Sequence, residues 1–371
     1  MSEEGASLGH TAARPKAQPP STPVRSMGRS AVERRPVRPP HLTRRHLVAV
    51  LATLTAVLLV TFAVAAAIGP VHASLWRAFA PGGATTPDYV IVVQTRIPRV
   101  LLAGVVGAAL AAAGAAFQGL LANPLADPHV LGISGGAAVA GATALVLGID
   151  PVSPLVPLAA FGGALATVTA VALVARTSGR TTPHALLLTG VVVNSLAAAL
   201  IMLVNAIASY RQAQGVLFWM MGALSTQSYG LVAVAGSYAA IGMATLLRHT
   251  PALNLLAAGE ESAASLGVEV ERVRRAVFVA AALLVGAAVS VSGMISFVGL
   301  IVPHVLRILL GPDLRLLVPA SFLGGATFLV LADTLARTVL GPAELPVGVV
   351  TALVGGPFFL LLLRRSLRSG G

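Results

Sequence analysis

The sequence predicts an all-α membrane protein with about ten transmembrane helices and inverted internal repeats. Three observations carry this. Of 371 residues, 56% are hydrophobic and 10% charged, with a mean hydropathy of +0.87; soluble domains carry about 25% charge. Apolar runs of about 20 residues, each long enough to cross roughly 30 Å of hydrocarbon, recur along the chain. Basic residues cluster in alternate connections between those runs. Cysteine is absent, which excludes disulfides, thiolate metal sites and a cysteine nucleophile. The only lysine, Lys16, is followed by Ala17. A phosphate-binding loop needs Lys before Ser or Thr after a glycine-rich turn, so any ATP hydrolysis belongs to a partner.

Residues 1–46 are rich in Pro, Arg, Ser and Ala without apolar period, and read as a disordered basic cytoplasmic tail. It has no aromatic residue for base stacking, so its charge is read as a topological anchor, with no nucleic-acid role. The first apolar run is Leu47–Ile68. It exceeds the roughly 7–15 residues of a signal sequence's apolar core and reads as a retained span. Further spans fall at 98–121, 129–148, 155–175, 184–205, 228–247, 274–293, 296–311, 317–337 and 346–363. An apolar helix at 214–224 is too short to cross and reads as re-entrant or interfacial. Residues 47–365 form one polytopic transmembrane domain, with 366–371 as a C-terminal tail.

With the N-terminus inside, twenty of the 25 basic residues lie inside, and only Arg77, Arg96, Arg99, Arg211 and Arg337 outside. Ten spans with both termini cytoplasmic satisfy the positive-inside rule; an odd number would put Arg364, Arg365 and Arg368 outside. Val106-Gly107-Ala108-Ala109 matches Val285-Gly286-Ala287-Ala288, and at the same offset Gly114 matches Gly293 and Pro124 matches Pro303. The second span runs inward and the seventh outward, so the halves are inverted repeats, a transporter plan.

No catalytic constellation or metal-ligand spacing is present, and His304 reads as a packing histidine. The segment Gln118–Pro128 ends the second span, with Pro124 and Pro128 stopping the helix. It lacks basic residues although it faces the cytoplasm, as a loop facing a pore or another chain would. The longest inner loop, 253–268, holds two helical pieces punctuated by Gly259 and Gly267, with Glu260 and Glu261 in the first turn of the second. Leu255, Leu256 and Leu266 are expected to be exposed there as a docking patch. Arg96, Arg99 and Arg337 stand on the disfavoured outer side. Snorkelling explains such residues, as does an i,i+4 pair between Asp333 and Arg337. A docking partner's carboxylates would equally supply counter-charge.

Several ordered segments resemble the permeases of bacterial ABC importers for iron chelates, haem and cobalamin. They are Arg96-Ile97-Pro98-Arg99, Asn123 to Pro128, Leu131 to Gly136, Phe218 to Gly222, Asn254 to Gly267, Gly293 to Arg307 and Glu344 to Val350. The resemblance spans residues 47–365; the long tail departs from it. It implies a type II ABC importer permease in the bacterial inner membrane, working with a second permease subunit, read as a copy of this chain. It also implies two cytoplasmic ATPase subunits, docked on 253–268 and using ATP and Mg, and a periplasmic or lipid-anchored binding protein. The permease itself would bind no cofactor. Asn123 and Leu125, with Thr181 and Thr182 before the fifth span, would form the cytoplasmic gate; Thr181 and Thr182 also suit plain helix caps. Arg96, Arg99 and Arg337 would meet acidic residues on the binding protein. The competing class, an ion-coupled secondary transporter, usually places paired ionisable residues at mid-membrane. Here Asp333 is the one clear intramembrane acid, with Arg337 one turn away.

Overall fold

The computed structural model describes residues 43–369 except Val152, Ser178, Gly179, Ser225, Thr226, Gln227 and Pro342. The tail expected at 1–46 therefore lies outside the described residues up to 42. Helix α1 (Arg44–Ala67) is capped by the Thr43 hydroxyl, which accepts from His46 N at 3.2 Å, so the first span begins a few residues early. Short α2 (Leu75–Phe79) and α3 (Pro87–Tyr89) follow. A π-helical stretch, Val90–Arg96, then runs into α4 (Ile97–Leu120). The wide turn hands over at Pro98, which has no N–H with which to extend a ladder.

The chain continues through α5 (Ile133–Val146), α6 (Leu155–Val174), the two-residue strands β1 (Arg176–Thr177) and β2 (Arg180–Thr181), and α7 (Pro183–Ala206). Then come α8 (Tyr210–Met220), α9 (Tyr229–Ala258), α10 (Glu260–Ser265), α11 (Val270–Ser292), α12 (Val298–Leu310), α13 (Leu314–Thr338) and α14 (Val347–Ser369). Seven helical segments among the described residues are long and apolar enough to cross a membrane, and three apolar stretches are shorter: α5, α12 and Val347–Leu362 of α14. Together they match the ten expected runs one for one.

The internal repeat is visible in element order. Helices α1, α4, α5, α6 and α7 run long, long, short, long, long, and so do α9, α11, α12, α13 and α14. The short members, α5 and α12, have 14 and 13 residues. Five crossings per half reverse the second half relative to the first. Packing repeats too: α4 lies on α13 as α11 lies on α6, and α5 on α6 as α12 on α13. The residue matches do not persist to the ends. Gly114 lies within α4 whereas Gly293 ends α11, and Pro124 is in a loop whereas Pro303 is inside α12. The offset already fails before the linker, at Gly114 and Gly293, and the linker before the short helix is longer in the first half, so the offset fails again at Pro124 and Pro303.

Helix α4 is the buried axis, with Ala, Gly and Val along its length. Its neighbours approach at glycines. A Cβ on Gly107 would stand 2.2 Å from Gly325 O, and one on Gly114 1.9 Å from Gly299 O. Backbone contact of this kind is how helices associate in lipid, where apolar burial gives little driving force. Large apolar side chains such as Leu59, Val60, Leu188, Val192 and Leu203 are exposed on α1 and α7, as the rim of a membrane protein requires.

Three further boundaries differ from expectation. The sixth span and the first piece of the following loop are one helix, α9. Pro251 does not break it, because the Leu247 carbonyl it leaves without an N–H donor accepts from the Thr250 hydroxyl at 2.9 Å. Helix α8 starts at Tyr210, because the Ser209–Gln212 capping box adds a polar first turn before the apolar stretch. Helix α14 continues to Ser369, through most of the segment read as a C-terminal tail.

Candidate functional site

Charged residues converge at the end of the bundle where α4 begins. Arg96 is only 4% exposed. Its Nη1 donates to Ala67 O at 3.0 Å and Ala66 O at 3.4 Å, and its Nη2 to Val71 O. The first two are carbonyls of the last turn of α1, which lack intrahelical donors and carry the negative end of the helix dipole. Arg99 donates from Nε and Nη2 to Asp333 Oδ1 at 3.1 and 3.0 Å, and from Nη1 to Glu344 Oε2 at 2.6 Å. Arg337 pairs with Asp333, Nε to Oδ2, at 3.0 Å, the i,i+4 partnership its spacing predicts. It also donates to Ala65 O and Thr334 Oγ1, each at 3.2 Å.

Of the readings left open for Arg337, the pair with Asp333 is formed. Arg96 and Arg337 are buried, and all three arginines find counter-charge or carbonyls within the subunit. Sequence shows which residues lie at that end, but not that the end of α1 and Glu344 come to meet them. Water reaches the cluster chiefly through Glu344, whose side chain is 41% exposed.

Nearby, three of the family-like segments form one knot. Gly348 N donates to Gly222 O at 3.2 Å, and Ala223 N to Ser292 O at 3.0 Å. A Cβ on Gly293 would stand 2.0 Å from Trp219 O, and one on Gly348 2.2 Å from Met221 O. The Trp219 ring lies against Gly141 of α5. Helix α8 is thus pinned to the ends of α11 and α14, as a re-entrant segment would be.

At the opposite end, α4 leads into the proline-stiffened loop. Ala122 has φ +47°. The Asn123 side-chain carbonyl accepts from Leu125 N at 2.9 Å, and Asn123 N donates to Gln118 O at 3.1 Å. His129 then hydrogen-bonds Ile295 O at 2.8 Å, and its own carbonyl accepts from Asn194 Nδ2 at 2.6 Å. The loop carries no basic residue, but α12 brings one: Arg307 Nη2 donates to Gln118 Oε1 at 2.7 Å. His304, one turn earlier, meets the Phe358 ring edge-on. Asn123 and Leu125 thus sit in a braced turn. Thr182 is the N-cap of α7, its hydroxyl accepting from Ala185 N at 3.2 Å, so the cap reading holds for it. Thr181 ends β2, and its side chain lies outside the described residues.

The segment 253–268 folds as two helical pieces. Gly259, at φ +138°, breaks α9 from α10, and Gly267, at φ +82°, ends the second piece. Glu260 and Glu261 open α10 as expected. The leucines divide: Leu266 is 68% exposed, whereas Leu256 is buried and Leu255 half-buried. That corrects the expected three-leucine patch, because α9 continues to Ala258 and turns Leu253 and Leu256 onto the bundle. Sequence reasoning gives no role to Arg274, which is buried and paired with Glu260 and Glu271. Nor does it single out Asn254 within its motif. The Asn254 Nδ2 donates to Asp313 Oδ1 at 2.7 Å and its Oδ1 accepts from Leu314 N at 2.8 Å. Hydrogen bonds from Arg315 and from Asn254 hold the Asp313 carboxyl below the usual carboxylate range. A lone Asn in a loop carries no signal in one sequence that it will bridge to a residue so distant.

Among the described residues no three His, Cys, Asp or Glu side chains cluster as metal ligands. The arrangement has a braced turn at one end of a central helix and an exposed leucine on a nearby loop.

Comparison with known proteins agrees with this plan. Residues 57–365 match the model of the FecCD transport family. The cobalamin import permease BtuC of Halobacterium salinarum is 45% identical over 277 residues, 74% of this chain and 73% of that one. The hemin transport permease HmuU of Yersinia pestis is 43% identical over 287 residues, 76% and 85% of the two chains. A solved structure described as an inward-facing conformation of a metal-chelate type ABC transporter superposes with a TM-score of 0.75 at 30% identity. It covers 86% of this chain and 99% of its own. A fold of two five-helix halves, with a family match over nearly all the described residues, means that the chain belongs to the FecCD transport family.

Proposed function

We propose that this chain is the transmembrane subunit of an ATP-driven importer moving an iron chelate, haem or cobalamin across the bacterial inner membrane. The family match along residues 57–365 carries the reading. Relatives named for cobalamin, hemin and Fe(3+)-citrate support the cargo class and leave its member open. On this reading the end where α4 begins faces outward and both termini face the cytoplasm, in agreement with the distribution of arginines.

Transport then requires partners. A second copy of the chain completes the pore, with the turn at Asn123 and Leu125 and the start of α7 at Thr181 and Thr182 closing its inner end. Two ATPase subunits dock on 253–268, where exposed Leu266 fills a pocket and Glu260 is fixed by Arg274. Their ATP cycle biases the permease between outward-open and inward-open states through differential contacts. A binding protein docks on the outer mouth, where Glu344 and the edge of Arg99 remain in contact with water while Arg96 and Arg337 hold the mouth's shape. The ion-coupled alternative loses its main support, since Asp333 is held by two arginines rather than free to take up and release a cation.

The test is reconstitution. In liposomes with its ATPase and binding protein, the chain should show ATP hydrolysis stimulated several-fold by loaded binding protein. Hydrolysis indifferent to the binding protein would refute the assignment.

A further inference from the structure

We infer that Asn254 is a positioning residue that couples the ATPase-facing loop to the inner gate, acting through Asp313 and Leu314. The inference rests on the proposed transport function and adds a route to it.

The geometry is contiguous. Asn254 lies in the last turns of α9, immediately before α10. Its amide bridges to the start of α13 in both senses, donating to Asp313 Oδ1 at 2.7 Å and accepting from Leu314 N at 2.8 Å. Asp313 is the N-cap of α13 and also accepts from Arg315 N at 3.0 Å. Leu314, whose backbone Asn254 holds, packs its side chain on Gly119 in the last turn of α4. A Cβ there would stand 2.7 Å from Leu314 Cδ1 and 3.3 Å from Leu253. The residue before Gly119, Gln118, accepts from Asn123 N at its carbonyl and from Arg307 at its side chain. The loop carrying Leu266 is thus linked to the helix end that carries Asn123 and Leu125 through the paired amide of Asn254 and the packing of Leu314 and Leu253 on Gly119.

An amide fits this joint better than any other side chain. It must give one hydrogen to a carboxylate and take one from a backbone N–H, which Asn does at once. The Asn254→Asp change keeps an acceptor for Leu314 N but sets a like charge against Asp313. The Asp313→Asn change keeps an acceptor for the Asn254 amide. With both changes, the carboxylate at position 254 would accept from the new amide at position 313 and from Leu314 N. The joint is then rebuilt with one bond reversed.

This asymmetry is the test. The chain is reconstituted with its ATPase and binding protein, and uptake of labelled ferric citrate, haemin and cobalamin is measured beside ATP hydrolysis. The unmodified complex is measured first; if it takes up none, the transport reading fails, not the joint. Uptake per ATP hydrolysed is expected to fall about tenfold in Asn254→Asp. It should stay near wild type in Asp313→Asn, and return to near wild type in the double variant. Should Asn254→Asp fail to assemble, Asn254→Ala removes the joint without a like charge and is expected to show the same fall in the ratio. An unchanged ratio in both Asn254 variants, or no recovery in the double variant, would overturn the inference. Loss of assembly alone, with the ratio preserved in what remains, would make the pair structural and overturn it equally.

Discussion

At the residue scale, the outer arginines show how burial changes what a charge is for. Asp333 carries Arg99 and Arg337 on its two oxygens in a place with little water. Removing one member of a buried, hydrogen-bonded ion group leaves uncompensated charge and costs about 3–5 kcal/mol. Asp333→Leu is therefore expected to lower thermal stability in detergent sharply, whereas Arg77→Ala should change it little. Arg77 pairs with Asp88 at 3.1 Å but is 71% exposed. Thermal unfolding of both variants checks this. Leu266→Asp is expected to preserve stability and abolish co-purification with the ATPase, because it places a charge at a contact the proposal makes apolar. Full co-purification would remove Leu266 from the interface.

At the element scale, glycine spacing decides how close the helices lie. Gly114 meets backbone, not a flexible side chain, so nothing nearby can yield to a methyl group. Gly114→Ala is expected to cost about 1–3 kcal/mol through overpacking between α4 and α12. Gly236→Ala on α9 meets only Val105 at 3.9 Å; it should be neutral or stabilising, since alanine suits a helix interior better. Comparative unfolding of the two checks the packing. Sequence made the helices legible because a membrane span needs a long apolar run, and length and composition reveal it. It could not show that α9 runs through Pro251, because continuity there depends on the Thr250 hydroxyl turning to the one carbonyl that the proline leaves without a donor. Nor could it show the leucines dividing between bundle and solvent, which follows from the turn at which α9 stops.

At the scale of the whole molecule, the two-fold plan was legible and the site only in part. The ten runs follow from length and composition, but the shortness of α5 does not, since the apolar run there spans 129–148 and the helix only Ile133–Val146; the residue offset between halves holds only over a short stretch. The segments that resembled importer permeases mark where the chain knots itself together, at Gly222, Gly293 and Gly348. The contacts that tie loops to helices, through Asn254, Arg274 and Arg307, join residues far apart in the chain, and no pattern in one sequence announces them. If Asn123 and Leu125 close the pore between two copies, cysteines placed there in this cysteine-free chain should cross-link between subunits. They should do so in one nucleotide state and not in another. Gel analysis after oxidation in each state checks this, and cross-linking absent from every state would move the gate elsewhere. The most direct measurement of the central claim is uptake of labelled ferric chelate, haemin and cobalamin into proteoliposomes containing this chain, its ATPase and its binding protein. Uptake of one of these is expected to require ATP, to persist when ionophores collapse all ion gradients, and to vanish with a hydrolysis-deficient ATPase. Uptake that survives loss of hydrolysis but fails when the gradients collapse would contradict an ATP-driven importer.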